Sequence, residues 1–266
     1  MRTPLLELVN LKKSYADGRP ILKGLSIQIQ AGQFVGLIGL SGAGKSTLLR
    51  CINRLVEPSE GEMLVPGAVF LNNNDPTRLD ISSLRGKELR AWRRKTGMIF
   101  QQFNIVKRLT VLENVLSGRL GYLDAMRTTL RIFNQQEKET ALINLERVGL
   151  LSHAYKRADA LSGGEQQRVA IARTLMQNPS LILADEPVAS LDPKLAETVL
   201  DILKRVSQED NITTIVSLHT LEMTRRYSDR VIGLAQGEVA FDDLPANLSD
   251  EVVANIYQRF TRQATK

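Results

Sequence analysis

Residues 36 to 51, GLIGLSGAGKSTLLRC, combine glycines, hydroxyls and one lysine in a pattern that suits phosphate binding. Within them, Gly39-Leu40-Ser41-Gly42-Ala43-Gly44-Lys45-Ser46 fits G-x-x-x-x-G-K-[ST], a loop whose free amides surround nucleotide phosphates. Glycine lets the backbone approach the ligand closely, and the helix that follows turns its unpaired N–H groups toward the anion. We predict that Lys45 reaches the β and γ phosphates, that Ser46 holds Mg²⁺ and that Thr47 lies beside the α phosphate.

The flanks of this loop predict a strand before it and a helix after it. Phe34 to Ile38 is a continuous apolar run, typical of a strand buried on both faces of a parallel sheet. The apolar positions after the loop have helical spacing and end before Pro58; they are Leu48, Leu49, Ile52, Leu55 and Val56. A plain strand-to-helix turn with a chance lysine is the alternative.

Two further apolar runs end in residues that could do chemistry. The run 181–184 is followed by Asp185 and Glu186, and the run 213–218 by His219. Mg²⁺ prefers hard oxygen ligands, so Asp185 could hold it directly or through water, while Glu186 could polarise an attacking water. The carboxyl ends of parallel strands lie along one edge of a sheet, where ligands bind. The alternative for Asp185 and Glu186 is a helix cap or a surface pair, and the alternative for His219 is a structural role.

The composition is that of a soluble globular protein, with 266 residues, 43% hydrophobic and 24% charged. No stretch approaches the about 18 consecutive apolar residues of a membrane span. The net charge of +6 is compatible with an acidic partner or an anionic membrane surface. Cys51 is the single cysteine, so an internal disulfide is excluded.

The rest of the chain divides by its hydrophobic pattern. Residues 5–35 alternate as antiparallel strands do, and Tyr15 lies in a turn among them. Residues 104–160 have helical spacing, and 87–95, KELRAWRRK, predicts a solvated basic helix. From 179 the alternation of strand and helix returns, with Asp192-Pro193 as the start of one helix. A final helix after Ser249 carries Val252, Val253, Ile256, Tyr257 and Phe260 on one face.

A further glycine-containing stretch, LSGGEQQR, occupies residues 161–168. By itself it predicts a helix that begins after a serine N-cap. Together with the phosphate loop, LILADEP and the histidine after the next strand, it resembles the nucleotide-binding cassette of ABC ATPases along nearly the whole chain.

The resemblance implies roles for individual residues. Gln101, in MIFQQFN, matches the glutamine that senses the γ phosphate, Mg²⁺ and the membrane partner. His219 matches the switch histidine, Tyr15 the residue that stacks on adenine, and Asp192 the loop that crosses the dimer interface. The signature residues, which would close over ATP held by a second subunit, are Ser162, Gly163, Gly164 and Glu165.

The family's architecture is an α/β P-loop NTPase cassette with a mixed, mainly parallel central sheet, an N-terminal antiparallel β subdomain and an inserted α-helical subdomain. We therefore expect one nucleotide-binding domain over 1–266. Its core and antiparallel sheet would take about 1–101 and 162–248, its helical subdomain about 102–161 and its C-terminal helix about 249–262. One cassette per chain implies a homodimer with two ATP molecules between the subunits.

Two classes of ABC ATPase compete for this chain, a transporter ATPase and a soluble ATPase of DNA repair or translation. Repair members carry a long coiled coil, whereas about 60 residues separate Gln101 from Leu161 here, and translation members usually join two cassettes in one chain. Transport is therefore favoured. It implies separate transmembrane permease subunits, a peripheral position on the cytoplasmic face of the cell inner membrane, and no nucleic acid partner.

Several stretches resemble the phosphonate importer ATPases in particular, among them LLRCINRLVEPSEGE and ADEPVASLDPK. That resemblance implies a periplasmic phosphonate-binding protein as an indirect partner. Phosphite importers have closely related cassettes, so phosphite and other small solutes remain alternatives. The sequence departs from the subfamily in residues 65–83, which are longer and richer in asparagine, and in SLHTLEM, where a second histidine is expected after His219.

Overall fold

The computed structural model describes residues 4–15, 18–67 and 78–258. One sheet is antiparallel, with strand order β2-β1-β4-β5. Its strands are β1 (Pro4–Ser14), β2 (Pro20–Gln30), β4 (Glu60–Pro66) and β5 (Arg78–Asp80). The predicted alternation in β2 is confirmed, since Leu25, Ile27 and Ile29 are buried. Much of the asparagine-rich segment 65–83 lies outside the described residues.

The second sheet is mixed, with strand order β10-β9-β3-β8-β7-β6. Its strands are β3 (Phe34–Ile38), β6 (Thr96–Ile99), β7 (Leu181–Ala184), β8 (Thr213–Ser217), β9 (Arg230–Ala235) and β10 (Glu238–Asp243). β3 pairs parallel with β8 and β9, and β7 pairs parallel with β6 and β8. β10 pairs antiparallel with β9 at the edge of the sheet. Every residue of β3, β6, β7 and β8 is buried. For β3 and β7 this confirms the buried strands that their continuous apolar runs predict.

Helices cover the mixed sheet and form the segment between β6 and β7. They are α1 (Lys45–Ile52), α2 (Gly86–Lys95), α3 (Val111–Leu116), α4 (Ala125–Leu130), α5 (Gln135–Arg147), α6 (Gly163–Leu175), α7 (Pro193–Glu209), α8 (Leu221–Tyr227) and α9 (Asp250–Gln258). One apolar core joins α3, α5, α6 and α7 to the mixed sheet through residues such as Val115, Leu145, Ile171, Leu203 and Val216. The helical character predicted for 104–160 is confirmed.

The helix after the phosphate loop is shorter than predicted. It ends at Ile52, Arg54 has φ 57°, and Leu55 is 50% exposed rather than on a buried face. The turn lets the Arg54 guanidinium donate to the Ile81 carbonyl, while Trp92 Nε1 donates to the Ile52 carbonyl at 2.9 Å. The first bond gives the buried Arg54 guanidinium an acceptor, and the second gives the carbonyl at the end of α1 a donor. The spacing of apolar residues does not indicate either contact.

Two other predicted helices have the expected starts. Asp192 caps α7, with Leu195 N donating to its Oδ1 at 3.1 Å. Ser249 caps α9 through Val252 N at 3.3 Å. The predicted end of α9, including Phe260, lies outside the described residues. Across the described ranges, no helix is long and apolar enough to cross a membrane.

Candidate nucleotide-binding site

The loop between β3 and α1 has a conformation that depends on glycine at two positions. Gly39 has φ 146° and Gly44 φ 106°. A Cβ on Gly39 would lie 2.3 Å from the Leu234 carbonyl oxygen, and one on Gly44 would lie 2.8 Å from Leu22 Cδ2. Side chains are therefore excluded on both steric and conformational grounds. The result is a bare backbone cradle that leads directly into the N-terminus of α1.

Lys45 lies inside this cradle and is 4% exposed. Its Nζ donates to the Gly39 carbonyl at 2.7 Å and to the Leu40 carbonyl at 3.2 Å. Burial lowers the pKa of the Lys45 ammonium, and the charges of Glu186 and Asp185 oppose that shift. A desolvated ammonium of this kind attracts an anion strongly, because water screens little of its charge. The cradle fits a phosphate group.

Ser46 and Asp185 form the part of the site that could hold a cation. Ser46 Oγ donates to Asp185 Oδ1 at 2.7 Å, and Asp185 is 4% exposed. Arg50 Nη2 lies 3.5 Å from Asp185 Oδ2. Within the described ranges, no three His, Cys, Asp or Glu side chains form a metal-binding group. The hydroxyl and carboxylate fit Mg²⁺, which usually takes one or two protein ligands beside water and phosphate oxygens.

Glu186 and His219 lie next to this pair at the carboxyl ends of β7 and β8. Glu186 Oε1 is 2.6 Å from His219 Nε2, and Glu186 N donates to Ser217 Oγ at 2.8 Å. Glu186 has φ 50°, a left-handed conformation that turns the chain away from β7 immediately after Asp185. Both side chains also border a cavity of ≈ 280 Å³ whose inner wall is apolar, with Val188, Leu191 and Met223. A carboxylate and an imidazole in contact can together bind and orient water.

The signature residues lie on α6 and form a capping box. Ser162 Oγ accepts from Glu165 N at 3.4 Å, while the Glu165 carboxylate accepts from Ser162 N at 2.8 Å and from Ser162 Oγ at 2.7 Å. These hydrogen bonds from Ser162 lower the pKa of Glu165. Gly163 is half-buried and Gly164 buried. The predicted serine cap is confirmed, and the cap leaves the end of α6 with an oriented hydroxyl.

The remaining predicted residues lie on separate elements. Gln101 is exposed two residues beyond the end of β6, and Asp192 is exposed at the start of α7. Tyr15 is 46% exposed, with Lys13 Nζ 5.4 Å from its ring centroid. Ser41 and Gly42 are exposed, Ala43 is buried and Thr47 is half-buried. The structure thus joins Lys45, Ser46, Asp185, Glu186 and His219 by direct contacts or charge. Among the described residues, Tyr15, Gln101 and Asp192 form no hydrogen bond or ion pair with this group.

Three side chains at these sites were not identified from the sequence as functional. Ser217 accepts from Glu186 N and has its Oγ 3.4 Å from Asp185 Oδ1, and Arg50 approaches the same carboxylate. His153 has its Nε2 3.5 Å from Glu165 Oε1. A hydroxyl within the apolar run 213–218 was a usable signal for Ser217. Nothing in the spacing points to Arg50 or His153.

Comparison with known proteins identifies the class of this cassette. The family model for "ABC transporter" matches residues 22–189. A structure described as "Dimeric structure of a post-hydrolysis state of the ATP-binding cassette MJ0796 bound to ADP and Pi" has a TM-score of 0.75 and 36% identity, covering 90% of this chain and 98% of that one. The ADP form of the cassette MJ1267 has a TM-score of 0.80 at 27% identity, with 96% and 99% covered. The chain belongs to the ABC transporter family.

Curated relatives within that family are more similar still. "Phosphonates import ATP-binding protein PhnC" of Shouchella clausii is 52% identical over 255 residues, which is 96% of this chain and 92% of that protein. The protein of the same name from Treponema denticola is 48% identical over 249 residues, which is 94% of this chain and 93% of the relative. This chain is thus an ABC cassette similar over almost its entire length to phosphonate import ATP-binding proteins.

Proposed function

We propose that this chain is the ATP-hydrolysing subunit of a bacterial ABC importer and that it drives uptake of phosphonate. The observation that carries the proposal is the contact series from Ser46 through Asp185 to Glu186 and His219, next to a buried Lys45. It supplies an anion site, a cation site and a water-orienting pair on one sheet edge. The cargo follows from the names of relatives that share about half of the sequence.

ATP is the proposed ligand of the phosphate loop. Lys45 would bind the β and γ phosphates, since it is the cation inside the cradle, and the amides at the start of α1 would bind the same anion. Tyr15 would stack on the adenine. The other residues assigned to ATP are Gly39, Ser41, Gly42, Ala43, Gly44, Ser46, Thr47 and Gln101, with Ser162, Gly163, Gly164, Glu165 and Asp192 acting from a second subunit.

We assign the Mg²⁺ site to Ser46, Asp185 and Gln101. Bound there, the ion would neutralise charge on the phosphate oxygens. The support is the 2.7 Å contact between the Ser46 hydroxyl and the buried Asp185 carboxylate, which are hard oxygen donors. Gln101 could approach them because β6, which it follows, pairs with β7, which ends immediately before Asp185.

Hydrolysis requires a group that orients and deprotonates water, and Glu186 is the candidate. Its carboxylate is partly buried at the sheet edge beside Lys45 and Asp185, and its backbone is fixed by the bond to Ser217. Glu186 would accept the proton of the attacking water, and His219 would hold the carboxylate and meet the γ phosphate. Lys45 stabilises the charge on the leaving phosphates. In phosphoryl transfer, positioning and charge stabilisation of this kind supply most of the catalysis.

The active unit is proposed to be a homodimer. The signature residues of one subunit would close over ATP on the phosphate loop of the other, and hydrolysis would reopen the pair. The MJ0796 cassette, 36% identical, is described as dimeric with ADP and Pi. Within each subunit we propose one nucleotide-binding domain over 1–266, with the core and antiparallel sheet in about 1–101 and 162–248, a helical subdomain in about 102–161 and a C-terminal helix in about 249–262.

The chain would work with separate transmembrane permease subunits and, through them, a periplasmic phosphonate-binding protein. We accordingly place it peripherally on the cytoplasmic face of the inner membrane. The relatives' names, which specify import, favour this over a role in DNA repair or translation.

The cargo is tested on the assembled transporter. Purified permease and binding protein, reconstituted with this chain in vesicles, should hydrolyse ATP faster with phosphonate than with phosphite or without ligand. The melting temperature of the binding protein gives an independent readout, because a ligand that binds the folded protein raises it, and a tighter ligand raises it more at the same concentration. If only phosphite raised the rate of ATP hydrolysis, the cargo would be phosphite rather than phosphonate. If no oxyanion raised it, the assignment of this chain to an oxyanion importer would be refuted.

A further inference from the structure

The segment that carries Gln101 is bonded to the signature helix within the same subunit. Arg173, on α6, donates from Nη1 to the Asn104 carbonyl at 2.5 Å and from Nη2 to the Phe103 carbonyl at 3.1 Å. Asn104 has φ 49°, a left-handed turn that brings both carbonyls to the same guanidinium. One side chain of α6 thus holds two consecutive peptide groups that follow Gln101 closely.

Arg173 has the environment of a structural cation rather than a surface charge. It is partly buried, and loss of hydration lowers the pKa of its guanidinium. Among the described residues, no Asp or Glu carboxylate oxygen lies within 4.0 Å of the Arg173 guanidinium nitrogens. The carbonyls of Phe103 and Asn104 accept its hydrogen bonds instead. A desolvated charge that lost those acceptors would be unfavourable. The segment and α6 are therefore energetically bound to each other.

A packing contact joins the same two elements at the signature end of α6. The position of a Cβ on Gly163 would be 3.6 Å from Phe103 Cζ and 3.4 Å from Leu191 Cδ2. Gly163 therefore lies between the Phe103 ring and the loop that leads to Asp192. The segment after Gln101 contacts α6 at both its first and its last turns, through the ring and the carbonyls respectively.

We propose that Arg173 and Phe103 are positioning residues that tie the Gln101 segment to the signature helix, so that Gln101 and Ser162 move as one unit. The inference rests on the proposed function, in which Gln101 meets ATP on its own subunit and Ser162 meets ATP on the partner. Nucleotide arriving at one site then changes the presentation of the signature to the other site. Arg173 contacts no ligand and acts only through the segment and the helix.

The test compares Arg173→Met with Arg93→Met in the full-length chain. Arg93 is a matched control, because it also donates to two consecutive main-chain carbonyls, those of Asn53 at 3.4 Å and Arg54 at 2.5 Å, which follow α1 rather than Gln101. Misplaced catalytic groups lose rate strongly, so Arg173→Met should lower kcat about tenfold or more. Its affinity for ATP in the monomer should change less than about twofold, since Lys45 and the cradle are untouched.

Two further variants keep the test decisive if Arg173→Met does not fold. Arg173→Lys retains the charge but replaces the forked guanidinium by a single donor nitrogen, so it should recover part of kcat. Phe103→Ala should lower kcat without changing ATP affinity. ATP-dependent dimerisation is measured in a Glu186→Gln parent with and without Arg173→Met or Arg173→Lys, and the substitutions should reduce the dimer fraction. Arg93→Met should leave both kcat and the dimer fraction near the parent values.

Wild-type kcat and dimer fraction in a folded Arg173 variant, or an equal loss in Arg93→Met, would overturn this inference. If the Glu186→Gln parent itself fails to dimerise with ATP and Mg²⁺, the proposed function fails instead. A parent that dimerises, together with an Arg173 variant that dimerises equally well, leaves the proposed function intact and removes only the role of Arg173.

Discussion

His219 Nε2 lies 2.6 Å from Glu186 Oε1, so the candidate base and the candidate switch histidine are in direct contact. Glu186 is the more enclosed partner, with 19% of its side chain exposed against 47% for His219. Glu186 follows the end of β7 and His219 follows the end of β8, and these two strands are neighbours in the sheet. The proposed base and the histidine proposed to meet the γ phosphate therefore form one pair, which a single substitution can separate.

The first prediction is that Glu186→Gln stops hydrolysis and retains ATP binding. The amide keeps the shape of the side chain but cannot accept a proton, and a positioned base contributes about 10²- to 10⁴-fold to rate. ATP should then accumulate in a closed dimer, which gel filtration with light scattering detects. Glu251→Gln, exposed in the first turn of α9, should behave as wild type. A Glu186→Gln chain that stays monomeric with ATP and Mg²⁺ would contradict the prediction.

A second prediction concerns Lys45→Ala, which should weaken nucleotide binding about 10- to 100-fold and abolish hydrolysis. Hydrogen bonds to charged groups are worth about 1.5–3 kcal/mol, and the buried ammonium is the cation in the cradle. Fluorescent ATP titration gives the affinity, and phosphate release gives the rate. Lys23→Ala, exposed on β2, serves as the control. Normal turnover in Lys45→Ala would exclude the phosphate loop as the ATP site.

The third prediction separates the two roles of Ser162. Ser162→Ala removes the N-cap of α6 and should cost about 1 kcal/mol of unfolding free energy. Ser162→Asp also caps a helix, so it should restore the melting temperature relative to the alanine variant. It should not restore hydrolysis, since a carboxylate would repel the γ phosphate. If Ser162→Asp hydrolysed ATP normally, the serine would be a cap and nothing more.

The fourth prediction is a pH dependence of stability at Cys51. Burial raises the pKa of the Cys51 thiol to about 11, because the thiolate is disfavoured away from water. With a folded pKa above the unfolded value of about 8.5, the contribution to stability is complete below about pH 8.5 and is lost as pH rises toward 11. Urea unfolding at several pH values should therefore show a steeper loss of stability in wild type than in Cys51→Ala.

The thiol offers a second measurement on the same group. Cys51 is 0% exposed, so a thiol reagent at neutral pH should label it only after local or global unfolding. The labelling rate should rise with urea in parallel with the unfolding transition. Rapid labelling of the native chain would show that the Cys51 thiol is accessible. Equal pH profiles of stability for wild type and Cys51→Ala would show that its pKa is not raised by folding.

The sequence predicted most of the elements around the site because their patterns are local. Phe34–Ile38 and Leu181–Ala184 are observed as buried strands, and Ser162 and Asp192 begin helices where their cap chemistry indicated. It placed the end of α1 too late, since Leu55 keeps the helical spacing but is solvent-exposed. The helix ends earlier because Arg54 donates to the Ile81 carbonyl and Trp92 to the Ile52 carbonyl. These are tertiary contacts, which the spacing of apolar residues does not predict.

The residue types and spacing alone determined that this chain has a phosphate loop and a carboxylate pair after an apolar run, because each depends on a few neighbouring residues. The signature at 161–168 was identified from its resemblance to ABC cassettes, since its spacing alone predicts only a capped helix. Only the tertiary structure decided that Ser46 meets Asp185, that Glu186 meets His219 and that Arg173 holds Phe103 and Asn104. The first two pairings depend on the order of the strands in the sheet, and the third depends on helix packing. Strand order and helix packing each bring together residues that are distant in the chain, which local sequence patterns do not specify.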